Sequence, residues 1–125
     1  MPEKYLRPSF IAKEDGDFIS IQVSGDINQY TLPESRKLLD EIVRRHRIGK
    51  RDNLRILVDY ELVGDVDSAT VANIIDRLES NSGRNHRVAF INMPEEFQHL
   101  IEIYKLKEMI LVFDSREEAM RELMK

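Results

Sequence analysis

What the sequence lacks excludes several classes of protein. It contains no cysteine and no tryptophan, and its aromatic residues are limited to five phenylalanines and four tyrosines. The absence of cysteine excludes disulfide scaffolds, zinc fingers and thiol nucleophiles. No stretch approaches the ~18 apolar residues of a membrane span, and the N-terminal residues lack the apolar run of a signal peptide. We therefore expect a soluble, cytoplasmic protein without a membrane partner.

The sequence also lacks an excess of basic charge, because its 19 lysines and arginines are outnumbered by 23 acidic residues and the net charge is −4. This balance argues against direct nucleic-acid binding, which requires a basic surface that releases counterions. The charges are unevenly distributed: residues 34–55 hold eight basic against four acidic side chains, whereas residues 56–82 hold six acidic side chains against Arg77 alone. We interpret the basic segment as the solvated face and end of a helix, since no aromatic residue between Tyr30 and Tyr60 offers a stacking platform.

A chain of 125 residues can bury its own core, so we expect one domain over residues 1–125. It opens with a predicted hairpin. Residues 10–13 form a short strand, residues 14–17 carry turn chemistry, and a second strand follows in which apolar and polar residues alternate. The apolar positions of this second strand are Ile19, Ile21 and Val23.

Three apolar runs, at residues 54–58, 88–91 and 109–113, are typical of strands buried on both faces of a parallel sheet. Before, between and after these runs the sequence predicts four helices. The first starts at a capping box over residues 31–34 and ends near His46, before Gly49. The last follows a second capping box at residues 115–118.

The two central helices are predicted from apolar stripes at helical spacing. Asp67 caps the first of them, and Asn81-Ser82-Gly83 ends it. The stripes are Val71, Ile74, Ile75 and Leu78 in one helix, and Phe97, Leu100, Ile101 and Tyr104 in the other. The order β-β-α-β-α-β-α-β-α predicts an α/β sandwich. Its mixed sheet has four to five strands, the first antiparallel and the rest parallel, packed with about four helices.

Few residues suggest catalysis, a metal or a cofactor, and we expect none of the three. The three histidines lie on different elements, and the five glycines never occur at phosphate-binding spacing. The acidic loop predicted at residues 59–67 is the exception, because clustered carboxylates can hold Mg²⁺. A receiver-like protein phosphorylated on Asp59, with Asp26 as a metal ligand, therefore stays open, although its acidic pair is incomplete and no lysine follows the last strand.

Three segments together resemble the STAS domain, which bacterial anti-sigma factor antagonists share with the cytoplasmic tails of sulphate transporters. They are residues 23–27 (VSGDI), residues 56–59 (ILVD) followed by 66–70 (VDSAT), and residues 112–119 (VFDSREEA). The resemblance covers essentially the whole chain in order. It implies a STAS-like sandwich and a protein-interaction regulator rather than an enzyme.

In the antagonists, an anti-sigma kinase phosphorylates the second serine of an Asp-Ser-Ser-Gly turn, and only the unphosphorylated antagonist binds the anti-sigma factor. Asp67 and Ser68 match the first two positions, but Ala69 stands at the usual acceptor and Thr70 at the glycine. Because alanine has no hydroxyl, the resemblance leaves two alternatives. Either Ser68 and Thr70 are the phosphorylation candidates, or the protein is a constitutive STAS scaffold or transporter-associated module without a switch.

The resemblance implies an anti-sigma factor/serine kinase, or another STAS-pathway protein, as the partner of a monomer or weak homodimer. The implied contact surface joins the turn, the acidic segment before it and the loop after the second strand. It comprises Gly25, Asp26, Asn28, Asp65, Asp67, Ser68, Ala69, Thr70 and Asn73.

Overall fold

The computed structural model describes residues 5–67, 70, 73, 85–95, 98–99 and 110–125. Within these residues it gives the bounds of five strands and two helices. They are β1 (Ser9–Asp15), β2 (Phe18–Ile27), α1 (Leu32–Arg45), β3 (Arg55–Val66), β4 (Arg87–Ile91), β5 (Ile110–Phe113) and α2 (Arg116–Leu123).

The five strands form one mixed sheet in the order β1-β2-β3-β4-β5. β1 pairs with β2 antiparallel, whereas β2, β3, β4 and β5 are parallel to one another. The predicted sheet is therefore confirmed. The hairpin between β1 and β2 turns at Gly16, whose φ of 61° lies in the left-handed region that glycine tolerates.

Apolar side chains fill both faces of the sheet. On one face, Ile19, Ile21 and Val23 of β2 belong to a buried cluster with Ile42 of α1. On the other face, a smaller cluster joins the central strands to α2: Leu57, Ala89, Ile91, Ala119 and Leu123. β3 and β4 are thus buried on both sides, which is why their sequences read as near-continuous apolar runs.

β3 is much longer than the predicted strand over residues 54–58, and the acidic loop predicted after it was wrong. Residues 59–66 continue the strand, because β2 also continues to Ile27 and offers a backbone partner. Leu62 pairs with Ser24 and Val66 with Ile27, after two register shifts at each of which β3 has one residue more than β2. The carboxylates of this segment therefore stand on a paired strand, in positions that its backbone fixes.

The first turn of α1 contradicts the predicted capping box. Thr31 is the N-cap, but its side chain makes no capping hydrogen bond. Its hydroxyl instead donates to the carbonyl oxygen of Asp26 at 2.6 Å. The sequence pattern failed because a buried carbonyl at the end of β2 competes for the hydroxyl.

α1 ends close to the predicted His46, but Gly49 does not stop it. The N–H of Ile48 donates to the carbonyl of Val43 at 2.9 Å, and the N–H of Arg47 donates to that of Arg44 at 3.2 Å. These two bonds form a Schellman motif whose left-handed residue is usually glycine. Here that residue is Arg47, with a φ of 55°.

α2 begins as predicted, since the Ser115 side chain accepts a hydrogen bond from the Glu118 N–H at 3.2 Å. Thr70 and Asn73 are helical, as expected after Asp67. The apolar stripes of the two central helices lie outside the described residues. Among the residues that the structure describes, no helix combines the length and apolar character needed to cross a membrane.

A clamp of charged side chains ties the hairpin turn to the segment after α1. Glu14 Oε1 lies 2.9 Å from both His46 Nδ1 and Arg51 Nη1. Arg51 Nη2 also donates to the carbonyl oxygen of Gly16 at 2.7 Å. The hydrogen bonds from His46 and Arg51 hold the pKa of Glu14 below its usual value.

We expect this lowered pKa to be measurable by NMR titration of the Glu14 side-chain carboxyl. Because the folded-state pKa is depressed, the clamp should be fully formed above the usual glutamate pKa and be lost as the pH falls through the folded-state value. Arg51→Gln should move the Glu14 pKa back toward its usual value. Glu122, whose pKa is lowered by Lys125, serves as the internal control and should not respond.

Packing predicts a contrast between two leucines of β3. Leu57 is 1% exposed and Leu62 is 58% exposed. Leu57→Ala should lower the free energy of unfolding by about 2–5 kcal/mol because it leaves a cavity under α2. Leu62→Ala should change it by less than about 0.5 kcal/mol. Urea denaturation followed by circular dichroism measures both, and equal effects would contradict the burial of Leu57 beneath α2.

Candidate functional site

The residues singled out by sequence meet where β2 and β3 end on the same side of the sheet. We call this region the carboxylate end and define it by Asp26, Asn28, Asp65 and Asp67. Parallel strands end at the same edge, which is where the loops of α/β proteins carry their sites. The register of Ile27 opposite Val66 brings the loop after β2 beside the residues that follow β3.

Asp26 is buried and joins three segments of the chain. Its carboxylate accepts hydrogen bonds from the N–H of Leu6 at 3.0 Å and from the N–H of Asp65 at 3.1 Å. Its own N–H donates to the carbonyl of Leu6 at 3.1 Å. Both carboxylate oxygens are therefore occupied by backbone donors, and Asp26 positions other residues of the site.

Asn28 shapes the chain reversal that leads into α1. Its side-chain oxygen accepts from the N–H groups of Tyr30 at 3.0 Å and Thr31 at 3.3 Å. Its amide nitrogen donates to Asp65 Oδ2 at 3.0 Å. Because Asn28 is buried, these bonds replace the water that its amide group would otherwise bind.

Asp67 links this loop to the start of the next helix. Its Oδ2 accepts from the N–H of Gln29 at 2.6 Å, and its Oδ1 accepts from the N–H of Thr70 at 3.2 Å. The second bond is the N-cap predicted from the sequence. One carboxylate thus holds together the two segments that the resemblance assigns to the contact surface.

Thr70 is 2% exposed, and its hydroxyl donates to the carbonyl of Ile27 at 2.8 Å. As a phosphorylation candidate it is therefore hidden, since a kinase would first have to separate the helix start from β2. With its side-chain oxygen toward Arg36, Asn73 accepts from Arg36 Nε at 2.8 Å and Nη2 at 3.1 Å. Ser68 and Ala69 lie outside the described residues.

Gly25 allows the N-terminal segment to approach the backbone of β2 closely, which the sequence did not reveal. Its φ is 85°, and a Cβ atom there would collide with the carbonyl group of Arg7. The N-terminal segment therefore packs directly on the backbone of β2. Tyr5 also stacks on Tyr30, with ring centroids 4.9 Å apart. Sequence reasoning missed this segment, and the only signal was a glycine in a strand, which often marks close backbone contact.

The outer surface of the carboxylate end is acidic with exposed apolar side chains. Glu61 and Asp65 are exposed on β3. Tyr30 is 54% exposed in the loop after β2, and Leu62 is exposed three residues before Asp65. Such a surface suits a protein partner whose contact face combines apolar and basic side chains.

Asp59 lies apart from the carboxylate end. It pairs with Gln22 in the sheet register, four residues before Asp26 along β2. Its Oδ1 accepts from the N–H of Glu61 at 2.9 Å and from Asn92 Nδ2 at 3.0 Å. The structure does not bring Asp59 and Asp26 together as a receiver-like site requires. Within the described part of the chain, no three acidic or histidine side chains group as metal ligands.

Comparisons with known proteins identify the family and the fold. A family model described as the STAS domain matches residues 9–119. Comparison with curated protein sequences finds no match.

Solved structures with the same fold include a candidate anti-sigma factor antagonist from Thermotoga maritima, at 21% identity, a TM-score of 0.69, and coverage of 93% of this chain and 95% of that one. An anti-sigma factor antagonist from Mycobacterium paratuberculosis has 12% identity, a TM-score of 0.72, and coverage of 94% and 95%. The phosphorylated form of the Bacillus cell fate determinant SpoIIAA has 14% identity, a TM-score of 0.65, and coverage of 92% and 99%.

Two glycines with positive φ allow the close approach at Gly25 to be tested. No atom lies within 4 Å of the position of a Cβ at Gly16, so Gly16→Ala should cost only the left-handed backbone penalty of about 1–2 kcal/mol. Gly25→Ala should cost about 2–5 kcal/mol, because the methyl group also displaces the N-terminal segment. Urea unfolding measures both variants. Equal costs would show that residues 5–8 do not pack on β2.

Proposed function

The chain belongs to the STAS domain family, and on that premise we propose that it is a non-enzymatic regulator of the anti-sigma factor antagonist type. Its partner is an anti-sigma factor/serine kinase, or another protein of the same pathway, which it binds in the cytoplasm through the carboxylate end. Solved antagonist structures of the same fold support this proposal at the level of the fold.

The observation that carries the proposal is the double contact of Asp67. Its two oxygens accept hydrogen bonds from the N–H groups of Gln29 and Thr70, which supports a contact surface shared by the loop after β2 and the helix start. A partner that contacts this surface therefore touches Gln29, Tyr30 and the helix start together. The buried Asp26 and Asn28 support it from behind and are positioning residues in this proposal.

Charge and apolar area define the kind of partner surface. Exposed Glu61 and Asp65 attract a basic face, and exposed Tyr30 offers an aromatic side chain of the type enriched at interface centres. The rim charges act mainly on the encounter rate, whereas the apolar contacts supply affinity. We expect salt to slow association more than it changes dissociation.

The candidate switch is Ser68, and Thr70 is the second candidate. A hydroxyl in the first turn of a helix stands near unpaired N–H groups, so a phosphate there is tolerated by the helix itself. The Thr70 hydroxyl is already bonded to Ile27, so phosphorylation there would break a buried contact.

A second candidate function is a constitutive STAS scaffold or transporter-associated module without a switch. Ala69 favours it, because the usual acceptor position has no hydroxyl. A receiver-like protein phosphorylated on Asp59 is the weakest alternative, since Asp59 is bonded to Asn92 and stands apart from Asp26. An acid-stable phosphoserine would indicate a switch on a hydroxyl group, whereas a base-labile acyl phosphate would indicate phosphorylation of Asp59.

The proposed surface can be tested by affinity purification from the native cell, followed by binding kinetics with the protein recovered. We expect an ATP-binding anti-sigma protein or another STAS-pathway protein. Glu61→Gln on β3 should slow its association, whereas Glu117→Gln, the same charge change on α2, should not. If the recovered partner responds to Glu117 and not to Glu61, it binds elsewhere on the domain.

The switch gives a separate prediction. Phosphate adds about −1.5 to −2 charges, and Ser68→Glu imitates part of this charge beside Asp65 and Asp67. The variant should keep the thermal stability of the parent, since negative charge is tolerated at a helix start, but bind the partner more weakly. A loss of about 2.8 kcal/mol would weaken binding about a hundredfold.

Phosphosite mapping after incubation with the cognate kinase and ATP completes this test. Ala69→Ser restores the acceptor at the family's usual position and is the positive control. Phosphate on Ser68 or Thr70 of the parent protein supports the regulated function. Phosphate on Ala69→Ser alone identifies the natural protein as a scaffold without a switch.

A further inference from the structure

A cluster of exposed cations lies at the end of α1. We call it the basic end and define it by Arg44, Arg45, Arg47 and Lys50, all of which are exposed. Among the residues that the structure describes, none of these four side chains forms an ion pair or a hydrogen bond. They differ in this from Arg51, whose guanidinium is occupied by Glu14 and Gly16 in the hairpin clamp.

The backbone conformation of Arg47, one residue of this cluster, is unfavourable for a residue other than glycine. Its φ of 55° places it in the left-handed region, at the position of the Schellman motif where glycine is preferred. The negative end of the helix dipole does attract cations, but Arg44 and Arg45 already supply two in the last turn. Stability alone therefore favours glycine at position 47, and a strained residue that persists points to a functional reason.

The basic end is far from the carboxylate end. β2 starts at Phe18, beside the turn that Arg51 holds, and reaches Ile27 nine residues later. At about 3.3 Å per residue, the two ends are on the order of 30 Å apart. A partner seated on the carboxylate end leaves the basic end uncovered.

We propose that the basic end is a second docking surface, which binds an acidic segment of a protein. Arginine predominates in it, and the guanidinium group forms paired hydrogen bonds with carboxylates. The segment that carries the basic end lacks what other polyanions require. No aromatic side chain occurs between Tyr30 and Tyr60 to stack on bases or anchor in a lipid surface. The net charge of −4 also repels a long nucleic acid more than a short acidic peptide.

This proposal does not depend on the function proposed for the carboxylate end. The test uses fluorescence anisotropy with a labelled 20-residue polyglutamate peptide at low salt. Arg47→Gly should unfold at a higher urea concentration than the parent protein, because the strain is removed, yet bind the peptide about fivefold more weakly. Lys13→Gln, which removes a cation from β1, should bind the peptide like the parent protein.

Three results would overturn the proposal. The parent protein could fail to bind the peptide, Arg47→Gly could bind it as tightly as Lys13→Gln does, or single-stranded DNA of equal charge or phosphatidylglycerol vesicles could bind more tightly than the peptide. An unchanged urea midpoint for Arg47→Gly would remove the argument from strain and would likewise count against it. Glu61→Gln separates the two surfaces, since it should leave peptide binding unchanged.

Discussion

The hydrogen bonds of Asp26 hold together the segments that build the carboxylate end. One side chain receives the N-terminal segment through Leu6 and the last part of β3 through Asp65. The carbonyl of the same residue receives the Thr31 hydroxyl at the start of α1. Because a buried carboxylate is stable only when donors surround it, the positions of these segments are coupled. If one segment lost its contact with Asp26, the positions of the other segments would therefore be disturbed as well.

This coupling explains why several residues that the STAS resemblance assigns to the contact surface are buried. Asn28 and Thr70 use their polar groups on other parts of the chain rather than on solvent. They define the shape of the carboxylate end and leave Gln29, Tyr30 and the exposed acidic residues to form its outside. A surface ordered in this way before binding loses little conformational entropy when a partner arrives.

The pattern of the sequence predicted the sheet, its strand directions and most element positions, because apolar periodicity depends on local chain geometry. The length of β3 could not be predicted in this way, since three carboxylates and a glycine interrupt the apolar pattern of residues 59–66 and their pairing depends on how far β2 continues. The hydrogen bond of the Thr31 hydroxyl could not be predicted either, because the hydroxyl reaches the carbonyl of Asp26, five residues earlier, only after β2 and α1 are in place. For the site, Asp67 was recognisable as a cap, whereas the docking of residues 5–8 on Gly25 required the folded backbone.

The unequal lengths of the strands have a consequence for local stability. β4 accompanies β3 only from Arg55 to Asp59, whereas β2 pairs with β3 as far as Val66. Beyond Asp59, β3 therefore has no described strand beside it on the β4 side, whereas β2 keeps β1 as a neighbour as far as Ser24. A strand segment with a partner on one side alone opens more easily than one in a sheet interior. We therefore expect residues 60–66 of β3 to open locally before the strands around Leu57 do, although Asp26 keeps the end of β3 joined to β2.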